Sequence, residues 1–394
     1  MKSFVLFFAL ALNLATATAF QRPYFQTNYE ESRTLFRELG QRTSGTMTSF
    51  PVPNQKNEDL TMDALYLKKT NAKALIILAA GVHGSEGFTG SAALIEFLEK
   101  TYPNLQSMNA SFLLLHSINP YGQKYFRRVT ENNVDLNRNF SLTDDLYKTP
   151  NPSYKKLNGV LNPTKQVTSY YKSTTRSTLG LLKALTLQGV SVDEIRQASV
   201  GGQYQFPKGI YFGGSKPEPQ VEMLKSYLAP IIREYEKLML LDFHTGLGEN
   251  GQLYLISSAS QTDGERQLMK RVFNQPSDET YVLSTSDDPG FYATTGDMTD
   301  FLQVLAPEVE MLSLTAEFGT LGLGIISQLK TINRLIVENQ AHHYGAKSPK
   351  IAQRVQNHFD ELFHPTDKEW RSEVQRRTKS LLNHYIPRYL EQIK

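Results

Sequence analysis

The chain has 394 residues, with 42 Lys plus Arg against 39 Asp plus Glu and no cysteine. That length buries a substantial core without covalent staples, and the missing thiols exclude disulfide scaffolds, zinc fingers, iron–sulfur clusters and thiol nucleophiles. The formal charge of +3 is mostly a property of 347–394, which holds ten basic and six acidic residues; it is not the basic stripe of a phosphate-backbone binder, so no nucleic-acid partner is expected.

Residues 1–19 combine Lys2, an uncharged run over 4–14 and the small-x-small ending Ala17-Thr18-Ala19, the order of an export signal. The run is shorter than the roughly 20 residues that span a bilayer. An exported protein without a transmembrane anchor is expected, periplasmic or extracellular, or luminal in a eukaryote. Residues 20–59 read as a polar lead, followed by an edge strand over 65–69. The run 74–80, Ala-Leu-Ile-Ile-Leu-Ala-Ala, reads as a central strand buried on both faces. A helix over 92–98, strands over 111–115 and 238–243, a helix over 221–235, strands over 252–257 and 312–318, and a helix over about 325–343 follow. Their alternation is that of a single α/β domain, 60–345, with a mostly parallel sheet. The segment 141–207 is rich in Thr, Ser, Asn, Tyr and Lys and broken by Pro150, Pro152, Pro163 and Pro207; it reads as an insertion with a helix at 181–188, long enough to cap a cleft. In the extension 346–394, Trp370, Val374, Leu381 and Leu382 recur at helical spacing, and core packing is the expected role of Trp370.

Four motifs carry chemistry. Gly81-Val-His-Gly-Ser-Glu-Gly87 follows the strongest strand, where ligands of an open parallel sheet collect, and a turn can aim His83 and Glu86 at one cation. In Leu241-Asp-Phe-His-Thr-Gly, Asp242 and His244 share one face of a strand that then breaks at Gly246. His83, Glu86 and His244 together form a His2Glu set suited to a single Zn2+ with a fourth position for water, although each histidine alone also fits a structural role. Glu317 ends an apolar strand, a costly place for a carboxylate unless it is salt-bridged or poised for proton transfer. Finally, 125–140 gathers Arg127, Arg128, Asn137 and Arg138, a set that can grip a carboxylate or form a solvated turn.

In this order, GVHGSEGFTGS, NPYG at 119–122, FRRVTENNVDLNRNF, YFGGS at 211–215, LDFHTGLG and TAEFGT resemble the zinc carboxypeptidase family M14, in its DUF2817-like branch. The resemblance implies an eight-stranded mixed sheet between helices, His83, Glu86 and His244 as ligands of one zinc ion, and Glu317 as general base for hydrolysis of a C-terminal peptide bond. It further implies that Arg127 steadies the oxyanion, with Arg128 in reserve. Asn137 and Arg138 would bind the terminal carboxylate and Asp135 would orient His83, a support that a ligating ring needs. Asp242 is a second candidate for such support. A mobile tyrosine is expected over the substrate, Tyr292 first and Tyr211 second. The aspartoacylase group, which cleaves N-acyl amino acids, resembles the same layout; a catalytically silent carboxylate-binding domain is a third reading. Side-chain preference and oligomeric state are left open by the sequence.

Overall fold

The computed structural model describes residues 24–187, 189–257, 261–273, 281–285 and 294–392. The expected export signal and Tyr292 lie outside these residues. Among them, no helix is long and apolar enough to cross a membrane.

Eight strands form one mixed, mostly parallel sheet: β1 (Thr46–Pro51), β2 (Thr61–Leu67), β3 (Ala74–Ala80), β4 (Ala110–His116), β5 (Lys237–Gly246), β6 (Leu253–Ser257), β7 (Tyr281–Thr285) and β8 (Glu310–Gly319). Their spatial order is β1-β2-β4-β3-β5-β8-β6-β7. Parallel pairs join β4, β3, β5 and β8 through the centre, while β2 is antiparallel to β1 and β4. The central strands are mostly apolar because both faces are covered. Ile76, Leu78, Leu241, Phe243, Leu314 and Ala316 pack on one face, and Leu75, Ile77, Leu238, Leu240 and Met311 on the other.

Three elements differ from the sequence expectation. The strand foreseen at an edge is β2, which β1 covers on its outer side. The polar lead contains β1 and a helix, Tyr29–Gly40, that starts where the Asn28 side chain accepts the Glu31 N–H and that buries Leu35, Phe36 and Leu39. The insertion is folded as three helices, Pro152–Leu161, Tyr170–Leu187 and Val192–Val200, with Asn151 and Ser191 capping the first and third. In the extension, Trp370 is buried and its indole N–H donates to the Gly319 carbonyl at 2.8 Å, fixing the Lys368–Ser380 helix to the end of β8.

From β3 the chain crosses to β4 on one side, whereas β5 pairs with β3 on the other. The connections therefore diverge at the carboxyl ends of β3 and β5, the point at which ligands of such sheets bind. The turn that leaves β3 is pressed onto the segment that follows β4: Gly84 and Ser85 N–H groups donate to the Arg128 and Arg127 carbonyls at 3.1 and 2.9 Å. A methyl group on Gly84 would sit 2.1 Å from the Gly122 carbonyl carbon. Gly84→Ala is thus expected to displace this turn, lowering thermal stability by about 1–3 kcal/mol and weakening divalent-metal binding. Unchanged melting and metal affinity would contradict the close approach.

Candidate metal centre

The parallel register of β5 and β8 sets His244 opposite Glu317, and both lie on the face shared with Asp242. The β3 turn brings His83 and Glu86 to the same point. His83 Nδ1 lies 3.0 Å from Glu86 Oε1, His244 Nδ1 lies 3.0 Å from Glu86 Oε2, and the two Nδ1 atoms are 3.1 Å apart. The rings meet edge to face at 70°. All three side chains are buried. Donors so spaced can each lie about 2.0–2.2 Å from a common point, and two imidazoles with one carboxylate suit a divalent metal ion. Among the described residues no other group of His, Asp and Glu meets in this way.

The outward nitrogens are held by acids. His83 Nε2 is 3.0 Å from Asp135 Oδ1, and His244 Nε2 is 2.7 Å from Asp242 Oδ2. Such partners fix which nitrogen faces the ion and raise ligand basicity. Asp242→Asn should therefore weaken metal affinity by ~10–100-fold. Competition with a chromophoric chelator measures this, and an unaltered affinity would contradict the orienting role.

Charge is distributed unevenly. Burial alone would raise the Asp135 carboxyl, but the neighbouring Arg128 and His83 outweigh it and hold it well below the usual carboxylate range. Burial acts likewise on Glu86, yet His83 and His244 keep its pKa low. Burial opposes a charge on His244, but Asp242 and Glu86 raise its pKa well above the ordinary value. For Glu317 the balance goes the other way: burial first, and then the Glu86 charge, outweigh His244, the Leu247 N–H and Arg128 and push it up to about 8. Its Oε1 accepts the Leu247 N–H at 2.8 Å. The Thr245 N–H, near the end of β5, donates to Glu86 Oε2 at 3.0 Å, while the Leu247 contact comes from the turn that follows; the sequence carries no sign of either.

The two adjacent arginines diverge. Arg127 Nε donates to Glu338 Oε1 at 2.9 Å and its Nη2 to Asn133 Oδ1 at 3.2 Å, away from the centre. Arg128 reaches the centre, with Nη1 on Glu86 Oε1 and Nε on Asp135 Oδ2, both at 3.0 Å. The Arg128 guanidinium lies between the rings of Tyr211, 5.4 Å away, and Phe363, 5.7 Å away. Tyr211 itself has φ +54°, a strained conformation of the kind that collects around functional sites. Phe363 comes from the C-terminal extension, and its carbonyl accepts the Thr245 hydroxyl at 2.6 Å. No motif announces it, because helix-packing phenylalanines look alike in sequence.

The two residues expected to bind a terminal carboxylate have backbone partners here. Arg138 is buried and donates to the backbone carbonyls of Val200 and Asn137. The Asn137 side-chain oxygen accepts the Met298 N–H at 3.1 Å. His116, the remaining histidine before residue 340, stacks on Phe36 and bonds Ser32 and Ser91, away from the three donors.

No curated protein matches the sequence significantly. Among solved structures, the chain is similar to bovine thrombin-activatable fibrinolysis inhibitor in complex with tick carboxypeptidase inhibitor (14% identity, 85% of this chain and 99% of that chain, TM-score 0.44). It is also similar to carboxypeptidase A from Helicoverpa armigera (14%, 83% and 76%, TM-score 0.44) and to a succinylglutamatedesuccinylase/aspartoacylase from Rhodobacter sphaeroides (13%, 79% and 68%, TM-score 0.37). Likeness at this level leaves the chemistry to this chain's own residues. A family model described as protein of unknown function, DUF2817, matches residues 25–377, a span that takes in the lead and most of the extension as well as His83, Glu86, His244 and Glu317. The chain belongs to the DUF2817 family.

Proposed function

We propose that this protein is a metal-dependent amide hydrolase, and more finely a zinc carboxypeptidase acting on peptides after export from the cytoplasm. The observation that carries the reading is the placement of Glu317, through the β5–β8 register, beside the buried three-donor cluster. A binding domain has no need of a second buried carboxylate there, whereas hydrolysis needs a base.

His83, Glu86 and His244 would hold one zinc ion, which supplies Lewis-acid polarisation and lowers the pKa of water when bound. Glu317 takes the proton of the attacking water at its carboxylate and returns it to the leaving nitrogen. Arg128, next to Glu86, offers its guanidinium to the developing oxyanion while Tyr211 and Phe363 restrict its swing. Asp135 and Asp242 keep the two imidazoles aimed.

The test is hydrolysis by the zinc-loaded full chain of peptides with free and with amidated C-termini, alongside N-acyl amino acids. Preference for free C-termini is expected. Cleavage confined to N-acyl amino acids would favour the deacylase reading, and no hydrolysis of any of them would overturn the proposal.

A further inference from the structure

Large apolar side chains scattered singly over a surface are ordinary, whereas several on one face are not. Of the nine that stand exposed among the described residues, six come from two helices. Tyr171, Leu179, Leu182 and Leu187 lie on the Tyr170–Leu187 insertion helix, and Ile325 and Ile326 open the Ile325–Tyr344 helix. Leu179 and Leu187 are 60% and 75% exposed, and Ile325 and Ile326 are 63% and 68% exposed.

The packing of the two helices brings these side chains toward one end. Just ahead of the insertion helix, the Val167 N–H donates at 3.0 Å to the carbonyl of Gly345, which follows the end of the other helix. Further in, the Thr178 hydroxyl accepts the Asn333 side-chain amide at 2.8 Å. The helices therefore run antiparallel, and the half that carries Leu179, Leu182 and Leu187 lies toward the turn that carries Ile325 and Ile326. Ser177, Leu181 and Ala184 face inward. At about 100° per residue, Tyr171, Leu179 and Leu182 share a stripe on the opposite side, and Lys172, Arg176 and Lys183 share the stripe next to it.

Charge singles out the same region. The whole chain nearly balances its 42 basic and 39 acidic residues. Yet 162–192 holds Lys165, Lys172, Arg176 and Lys183 with no acid, and 320–337 holds Lys330 and Arg334 with no acid. Glu194, Glu249 and Glu338, which border these segments, are engaged by Lys156, the Leu323 N–H and Arg127. Exposed leucines beside a stripe of cations are the two halves of an interfacial helix: the apolar side enters the headgroup boundary and the cations meet anionic lipid.

We propose that this face, the outer side of the Tyr170–Leu187 helix with the first turn of the Ile325–Tyr344 helix, docks the protein on a bilayer surface that carries anionic lipid. A soluble polyanion would engage the cations and leave the leucines in water. A second copy joined face to face would set these cations against their own like. Ile325 follows the end of β8 by six residues, and the Gly322 N–H between them donates to the Gly248 carbonyl at 2.8 Å. The docked face thus adjoins the edge of the sheet that carries the metal centre.

Co-sedimentation of the full chain with sucrose-loaded phosphatidylcholine vesicles, with and without phosphatidylglycerol, tests this. Partitioning should be ~10-fold or more stronger with the anionic lipid and should weaken as salt is added. Lys172→Gln with Lys183→Gln should reduce it ~10–30-fold. Leu179→Ser with Leu182→Ser should reduce it ~10-fold or more, and both variants should melt like the parent because the replaced side chains are exposed. No binding to anionic vesicles at low salt would overturn the proposal. Full binding by the leucine variant would also overturn it, leaving only diffuse charge attraction. A parent that runs as a dimer, and that the leucine changes convert to a monomer, would overturn it in favour of a second copy. None of these readouts involves hydrolysis, so they stand or fall apart from the proposed activity.

Discussion

Glu317→Gln is expected to keep its bound metal and to lose kcat by ~10²–10⁴-fold, the usual contribution of a positioned base. The retained metal follows from geometry, because the three donors are on other residues and Glu317 faces the Leu247 N–H. A drop in kcat with little change in KM is the signature of a group that acts in the transition state. Near-normal turnover would show that the proton goes elsewhere. The same variant has a second readout in the metal-free protein. Burial raises Glu317 from an ordinary 4.5 to about 8, so its charged form is disfavoured by folding. The sign follows: a carboxyl with a raised folded pKa binds more protons in the folded than in the unfolded state, so stability falls as pH rises from about 4.5 to 8. The loss is at most about 5 kcal/mol. Glutamine escapes it, so the Tm advantage of Glu317→Gln over the parent should widen between pH 5 and pH 8, and added zinc should narrow it. A constant difference across that range would contradict a buried carboxylate whose charge is disfavoured by folding.

His244→Ala should eliminate zinc binding at this centre and with it any zinc-dependent rise in Tm, since ligand binding to the folded state alone is what raises Tm. It should also lower the stability of the metal-free chain. His244 bridges Asp242 and Glu86 at 2.7 and 3.0 Å, and both acids are buried. Removing it takes the ring from Asp242 and leaves Glu86 to His83, Arg128 and the Thr245 N–H, a change of the type that costs about 3–5 kcal/mol. His83→Ala leaves Arg128 on both Asp135 and Glu86, so its metal-free penalty should be the smaller of the two. Chemical denaturation of the two metal-free variants checks the order, and the reverse order would contradict the assignment of partners.

The parts of this molecule legible in the sequence are those where one residue pattern has one physical solution. The 74–80 run is short, has no polar position and is bounded by Lys73 and Gly81, the pattern of a strand covered on both faces, and β3 lies at the sheet centre. His83 and Glu86 are close in sequence, and Asp242 and His244 alternate on one strand, so local geometry alone aims each pair. What stayed hidden depends on contacts between distant segments. β2 resembles an edge strand because its neighbour β1, Thr46–Pro51, is half exposed and carries little apolar signal. Arg127 and Arg128 are equivalent in sequence, and the choice between them is made by Glu338, 211 residues away from Arg127. Nothing near Arg138 in the chain indicates that its guanidinium meets a helix end from 62 residues onward.

The most direct test of the metal centre is anomalous diffraction from crystals grown or soaked with zinc, measured on either side of the zinc absorption edge. One strong peak is expected, about 2.0–2.2 Å from the Nδ1 atoms of His83 and His244 and from the Glu86 carboxylate. A zinc peak held elsewhere in the chain, with these three side chains still paired to one another, would contradict it.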